Sequence, residues 1–267
     1  MVSLTETSLK QRLRTFWDGQ QVYWELLESH VATSAPLRHK MAAFVPDGAR
    51  VLDLACGTCA NSGFLGEHCR YFGVDVAIAG LKRASRELTL ACGDAEQLPF
   101  ASSTFDAVLA TYVLEHSATP RAMLSQMLRV LRPGGRLLLL GPAWDFPFWY
   151  PNSLHTRAPN LGWRIRYTIG RLARQARGVL FGRLPFDTVA DPDAFHTPFI
   201  YDSDAVYIVW TYEVIRFLAR NGAKLIHWEA DDKLLGKNAM VRGMKHALMT
   251  LPAYRRAGST ILMVFEK

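Results

Sequence analysis

The stretch Val51-Leu-Asp-Leu-Ala-Cys-Gly-Thr-Cys59 decides how this chain is read. Arg50–Leu54 is a short run of the kind that forms a parallel strand covered on both faces. The small residues at 55–59 then suit a tight turn and a helix start. Acids follow at Asp75 and Asp94, each about one strand–helix unit further on and each, like Asp53, at a strand end. An open parallel sheet binds its ligand outside the carboxyl ends of its strands, so these carboxylates converge on one crevice.

Working outward, strands are expected at 71–76, 89–93, 105–111, 136–141, 223–229 and 259–266, alternating with helices at 61–67, 79–87 and 121–131. Such alternation predicts an α/β fold with a doubly wound, seven-stranded, mostly parallel sheet. Four segments divide the chain. Residues 1–45 form a helical N-terminal cap with helices over 8–31 and 35–44, and 46–141 form the ligand-binding core. Residues 142–202 are an aromatic and arginine-rich insertion expected to act as a lid. Residues 203–267 complete the sheet, with a helix over 204–220 capped by Ser203 and a helical connection at about 236–251.

The chain has 267 residues, 49% of them hydrophobic, and a net charge of +7. That charge is localised. Between Asp145 and Asp187 there is neither acid nor lysine, but arginine stands at 157, 164, 166, 171, 174, 177 and 183. Cysteines 56, 59, 69 and 92 cluster in the core as reduced cytosolic cysteines do, and Cys56-x-x-Cys59 has no second pair to complete a zinc site. No metal is expected. No apolar run is long enough to span a bilayer and the start of the chain is polar, so a cytoplasmic protein is expected.

A ligand with an ammonium group, a ribose diol and an exocyclic amine suits three convergent carboxylates, and S-adenosylmethionine has all three. Four motifs in order, 51–59, Gly73-Val-Asp75, Gly93-Asp-Ala-Glu-Gln-Leu-Pro-Phe100 and Leu131-Arg-Pro-Gly-Gly-Arg-Leu137, make residues 45–141 resemble the class I S-adenosylmethionine-dependent methyltransferases, in particular the type 11 group that includes quinone and small-molecule enzymes. The resemblance implies that Asp53 supports the loop or the ammonium group, and that the backbone of Ala55, Cys56, Gly57 and Thr58 contacts the cofactor. It implies further that Asp75, with Val76, takes the ribose hydroxyls, that Asp94 and Ala95 take the adenine edge, and that Thr111 lies near the methyl end. S-adenosylhomocysteine would be the product. The loop departs from the family's Gly-x-Gly-x-Gly at Ala55 and Cys59. Alanine at 55 still permits close approach if its φ is negative, and Cys59 adds a side chain where the helix begins. A nicotinamide dinucleotide would need Gly-x-Gly-x-x-Gly, which is absent.

Methyl transfer needs alignment first and a base only if the acceptor loses a proton. His116 is a candidate base, or else a structural histidine at a helix start. His155 and His196 in the insertion are further candidates, and Tyr112, Tyr150 and Tyr201 can orient a substrate. No Pro-Pro-aromatic sequence follows strand 4, so the usual apparatus for nucleobase amines is missing. The expected acceptor is a small, largely apolar lipid, quinone or polyketide, with oxygen the expected acceptor atom. Residues 161–183 read as a basic amphipathic helix with Leu161, Ile165, Thr168, Ile169, Leu172, Ala176, Val179 and Leu180 on one arc. Such a helix either docks as a lid by its apolar face or makes a peripheral contact with an anionic membrane. Nucleic acid is not the expected partner. The rivals are a non-catalytic cofactor-binding scaffold and an RNA methyltransferase.

Overall fold

The computed structural model describes residues 6–267 apart from 20, 159, 197–198, 231–238, 253 and 256–258. Strands β1 (Arg50–Leu54), β2 (Arg70–Asp75), β3 (Thr89–Cys92), β4 (Phe105–Thr111), β5 (Leu131–Pro142), β6 (Lys224–Ala230) and β7 (Thr260–Glu266) form one seven-stranded sheet, in the order β3-β2-β1-β4-β5-β7-β6. β1 to β5 pair in parallel, and β7 runs antiparallel to its neighbours β5 and β6. The sheet centre is apolar on both faces: Val51, Leu52, Leu54, Ala107, Val108 and Leu109 are fully buried. The chain's direction of winding reverses between β1 and β4, which opens the crevice at their carboxyl ends.

Eight helices are described: α1 (Glu6–Gly19), α2 (Gln21–Ala42), α3 (Asn61–Leu65), α4 (Ile78–Leu81), α5 (Pro120–Val130), α6 (Leu161–Phe181), α7 (Thr211–Arg220) and α8 (Ala239–Met249). Residues 236–238 of the expected connection lie outside the described residues. The N-terminal helices differ from expectation. α1 ends at Gly19, and α2 continues through Pro36 instead of breaking before it. Arg38 Nε donates to Ser34 Oγ at 2.8 Å across that turn, and Ser34 Oγ bonds the Val31 carbonyl at 3.2 Å, so side chains hold the turn that proline weakens.

A second difference lies at α7. The expected helix at 204–210 is an extended segment instead, and Ala205–Trp210 run almost fully buried through the interior. The backbone N–H groups of Val206 and Tyr207 donate to the Glu115 carbonyl, and Trp144 N–H donates to the Val209 carbonyl. Ser203 therefore caps nothing at α7. The cap comes from a distant residue: Asp145 accepts from Thr211 N at 2.8 Å and Thr211 Oγ1 at 2.6 Å, in a fully enclosed site. Asp145→Ala leaves two buried donors without acceptors and should cost about 2–3 kcal/mol in urea unfolding, with Asp145→Asn recovering much of it.

Among the described residues, none of the insertion lines the crevice. α6 packs on the 144–150 loop and on Trp210, through Gly178 and the Arg171 guanidinium, which donates to the Trp144 and Trp149 carbonyls. The tail of the insertion reaches the N-terminal helices, where Asp191 pairs with Arg12, and Phe195 meets Phe16 edge-on and Phe199 at a tilt. The roof over the crevice is α1 and α2, and the insertion props that roof from outside. Among the described residues no helix is long and apolar enough to cross a membrane.

Candidate active site

One large cavity opens at the carboxyl ends of β1 to β4. Its sheet-side wall is made by Ala55–Thr58, Asn61, Asp75–Ala77, Gly93–Glu96 and Thr111–Val113. Leu13, Trp17, Tyr23, Trp24, Leu27 and Val31 of α1 and α2 close the opposite side, and Arg38 and His116 also reach the wall. Trp24 can approach closely because Gly57 of the β1 loop and Gly80 of α4 carry no side chain: one at Gly80 would meet Trp24 at 2.5 Å, and one at Gly57 would meet it at 3.4 Å.

The β1 loop keeps the backbone of a glycine loop with glycine at only the middle of its three positions. Ala55, Gly57 and Cys59 have φ of 51°, 54° and 62°. The negative φ that would have made Ala55 harmless is not adopted. The left-handed region costs a residue with a Cβ about 1–2 kcal/mol. Ala55→Gly should therefore raise stability by about 1 kcal/mol, read as a Tm increase of about 2 °C. Cys59 is the less clean site, because its thiol is buried and bonds the Cys56 sulfur at 3.4 Å.

Asp75 sits at the end of β2 with each carboxylate oxygen taking one backbone donor, Gly57 N at 2.8 Å and Ala77 N at 2.7 Å. Burial raises its pKa, and those two N–H groups oppose the rise. Asp94 Oδ1 accepts from Glu96 N at 2.8 Å, which shapes the β3 loop along the cavity. Asp53, expected to support the loop or the ammonium group, does not itself line the cavity. It is buried behind the wall and accepts from Asn61 Nδ2 at 3.0 and 3.1 Å and from Tyr71 OH at 2.6 Å. Burial pushes its pKa up to about 6 despite those donors. Asn61 stands on the wall instead, held also to Thr111 Oγ1 at 3.0 Å and to the Arg38 guanidinium.

His116 lies on the cavity wall beside a carboxylate cluster. Its Nδ1 is 3.4 Å from Asp204 Oδ2, while Nε2 is 3.9 Å from Glu115 Oε1, beyond hydrogen-bond range. Trp17 Nε1 donates to the same Asp204 oxygen at 2.9 Å, and the Trp17 ring meets the imidazole edge-on. Burial lowers the His116 pKa, but Asp204, Glu115 and Asp202 outweigh it and the net shift is upward. Burial also raises Glu115 to about 8 and Asp202 to about 7.

Tyr112 is on the wall with φ of 54°. The other candidates from the insertion are elsewhere. His155 is exposed, and His196 is exposed and bonds Asp191 at 3.0 Å. Tyr150 is tied to Thr168 and packs against Trp163 and Tyr167 of α6. None of these four, Tyr201 included, lines the cavity. Polar residues not foreseen on the wall include Lys10, Arg38, Asn61, Glu96 and Ser117. Glu96 carries the strap that closes the roof: it accepts from Lys10 of α1 and from Ser117 and Thr119 before α5. Burial raises its pKa, but these donors prevail and hold it below the ordinary glutamate value. An acid directly after Asp94-Ala95 in the β3 loop was the one sequence signal available for it.

Residues 52–139 match a family model described as a methyltransferase domain. The demethylmenaquinone methyltransferase of Beutenbergia cavernae is 42% identical over 112 residues, covering 39% of this chain and 44% of the relative. That of Mycobacterium bovis is 39% identical over 126 residues, covering 45% and 48%. The aligned part is thus about half the length of these curated relatives. The solved 1,6-didemethyltoxoflavin-N1-methyltransferase of Burkholderia thailandensis, bound to 1,6-didemethyltoxoflavin and S-adenosylhomocysteine, superposes with a TM-score of 0.54 at 15% identity, over 97% of this chain and 86% of that one. The matched segment, 52–139, spans β1 to β5 of a Rossmann-like sheet.

Proposed function

We propose that this protein transfers a methyl group from S-adenosylmethionine to a small, largely apolar acceptor of the quinone, lipid or polyketide class. The observation that carries the reading is a single cavity with a polar wall at the strand ends and an aromatic wall from α1 and α2. The polar wall fits the cofactor. Each Asp75 oxygen has accepted one N–H and keeps a lone pair, so the carboxylate can still take two vicinal hydroxyls. Asp94 and Ala95 border the place for an adenine edge. The Arg38 guanidinium, fixed by Ser34 and Asn61, suits the carboxylate of the methionine part. Asp53 acts behind the wall by orienting Asn61.

The bound cofactor supplies a methyl group already activated on a sulfonium. The protein's part is to align, to exclude water and to manage a proton. Trp17, Tyr23, Trp24 and Leu27 give the acceptor an apolar seat under the roof. Asp204 holds His116 at Nδ1 and leaves Nε2 to receive the proton of a hydroxyl acceptor. The names of the relatives support a demethylmenaquinone, taken in its reduced form, as the first acceptor to try. Such acceptors reside in bilayers, so a membrane-contacting surface on the same molecule belongs with this reading.

The test is transfer of labelled methyl from S-adenosylmethionine to demethylmenaquinol, counted after solvent extraction. Label in the organic phase, lost with Asp75→Ala, is the expected result. Cofactor binding without transfer to any apolar acceptor would leave the scaffold reading, and label retained on RNA would replace the acceptor class.

A further inference from the structure

α6 is docked by its polar side. On a helix of 3.6 residues per turn, Thr168, Arg171, Gln175 and Gly178 share one face, and these are its buried residues. Each has an inward reason. Thr168 meets Tyr150, Arg171 donates to two carbonyls, Gln175 accepts from Tyr254 OH at 2.8 Å, and Gly178 lets the helix approach Pro185 and Trp210. The adjoining arc is the apolar one, and it faces outward. Leu161 is 69% exposed, Ile169 62% and Leu180 74%, with Ile165, Leu172 and Val179 also exposed between them. Phe148, 49% exposed, borders the same small cleft as Leu172 and extends the apolar surface. The expectation of a lid docked by its apolar face is therefore overturned: the apolar arc is what α6 leaves uncovered.

The helix is well made for a surface position. Asn160 caps its start by accepting from Trp163 N at 3.1 Å, and Gly182 in the left-handed conformation ends it. Arg166 and Arg177 flank the apolar arc on one side, exposed and with no acidic partner among the described residues; Arg183 follows just beyond the end. Arg171 and Arg174 are not available in the same way, the first being buried and the second paired with Asp187 at 2.6 Å.

We propose that this face of α6 docks on an anionic phospholipid surface, with the helix lying in the plane of the bilayer interface. An exposed apolar stripe of this length marks an interaction site. Charge chooses the occupant. A two-fold contact between copies would bring the Arg166 and Arg177 rows together with no acid between 145 and 187 to offset them. An anionic leaflet takes the apolar arc into its acyl boundary and neutralises the flanking guanidinium groups. The surface stands independently of the reaction proposed for the cavity.

The test is co-sedimentation of the full chain with phosphatidylcholine vesicles containing about one third phosphatidylglycerol. Wild-type protein should pellet with these, pellet far less with pure phosphatidylcholine, and be released by salt. Arg166→Gln with Arg177→Gln should weaken partitioning by about fivefold per arginine. Ile169→Asp with Leu180→Asp should abolish it. Both pairs are exposed, so calorimetric binding of S-adenosylmethionine should be unchanged, which separates failure of the surface from failure of the site. Wild-type protein that never pellets, or pelleting indifferent to Ile169→Asp with Leu180→Asp, overturns the proposal. So does a concentration-dependent dimer in sedimentation velocity that the aspartates dissolve, which would assign the stripe to a second copy.

Discussion

Asp75→Ala should weaken S-adenosylmethionine binding by about 100-fold or more in calorimetry, the largest loss expected from any single wall residue. Two hydrogen bonds to a charged acceptor contribute roughly 1.5–3 kcal/mol each, and the substitution removes both. It also frees Gly57 N–H and Ala77 N–H, which the carboxylate holds in the apo wall, so the β1 and β2 loops lose their common tether. Asp75→Asn separates the two contributions. It keeps one acceptor oxygen and should retain the tether to one loop, with a binding loss about tenfold smaller. Unchanged affinity in the alanine variant would remove Asp75 from the cofactor site and with it the assignment of the polar wall.

His116→Asn should lower kcat by about 10²–10⁴-fold while leaving cofactor affinity unchanged, the span expected when a positioned base is removed. The pH profile gives the sharper reading. His116 must be neutral to accept a proton, and its pKa is raised above 6.5 by Asp204, Glu115 and Asp202 against the opposing effect of burial. The rate should therefore rise with pH, through a midpoint above that value. Asp204→Asn removes the largest raising influence, so its midpoint should move to lower pH even as kcat falls through loss of orientation. A flat profile in the wild type, or a kcat unaffected by His116→Asn, would make the histidine structural and leave alignment as the whole of the catalysis.

Much of the core was legible because its signals are local. The buried run Val51–Leu54, the Gly73-Val-Asp75 strand end and the Pro133-Gly134-Gly135 stop each act within a few residues, and the order of strands and helices follows from them. Asp75 and Asp94 were readable for the same reason, since a strand end fixes where its next residue points. Arg38 and Asn61 were not. Nothing near them in the chain announces that a turn of α2 and the first residue of α3 meet over Asp53. The φ of Ala55 and Cys59 was equally out of reach: both residue types ordinarily avoid positive φ, and it is the close approach of Trp24, Gly80 and β2 that holds the loop there.

The sequence by itself determined the sheet, its crevice and the acids at the strand ends, because hydrophobic period and turn chemistry are written over short spans. It also determined that α6 has an apolar side and a basic side. Only the tertiary structure decided which side faces inward. Periodicity reports how residues are arranged around an axis, whereas docking depends on partners far along the chain. Here the Trp144 and Trp149 carbonyls accept from the Arg171 guanidinium, and Tyr254 OH donates to Gln175. Those hydrogen bonds satisfy polar groups that would be costly to bury unpaired, so the polar face can be the buried one. The same long-range logic made α1 and α2 the roof, since Lys10–Glu96 and Trp17–Asp204 bridge segments that no local pattern connects.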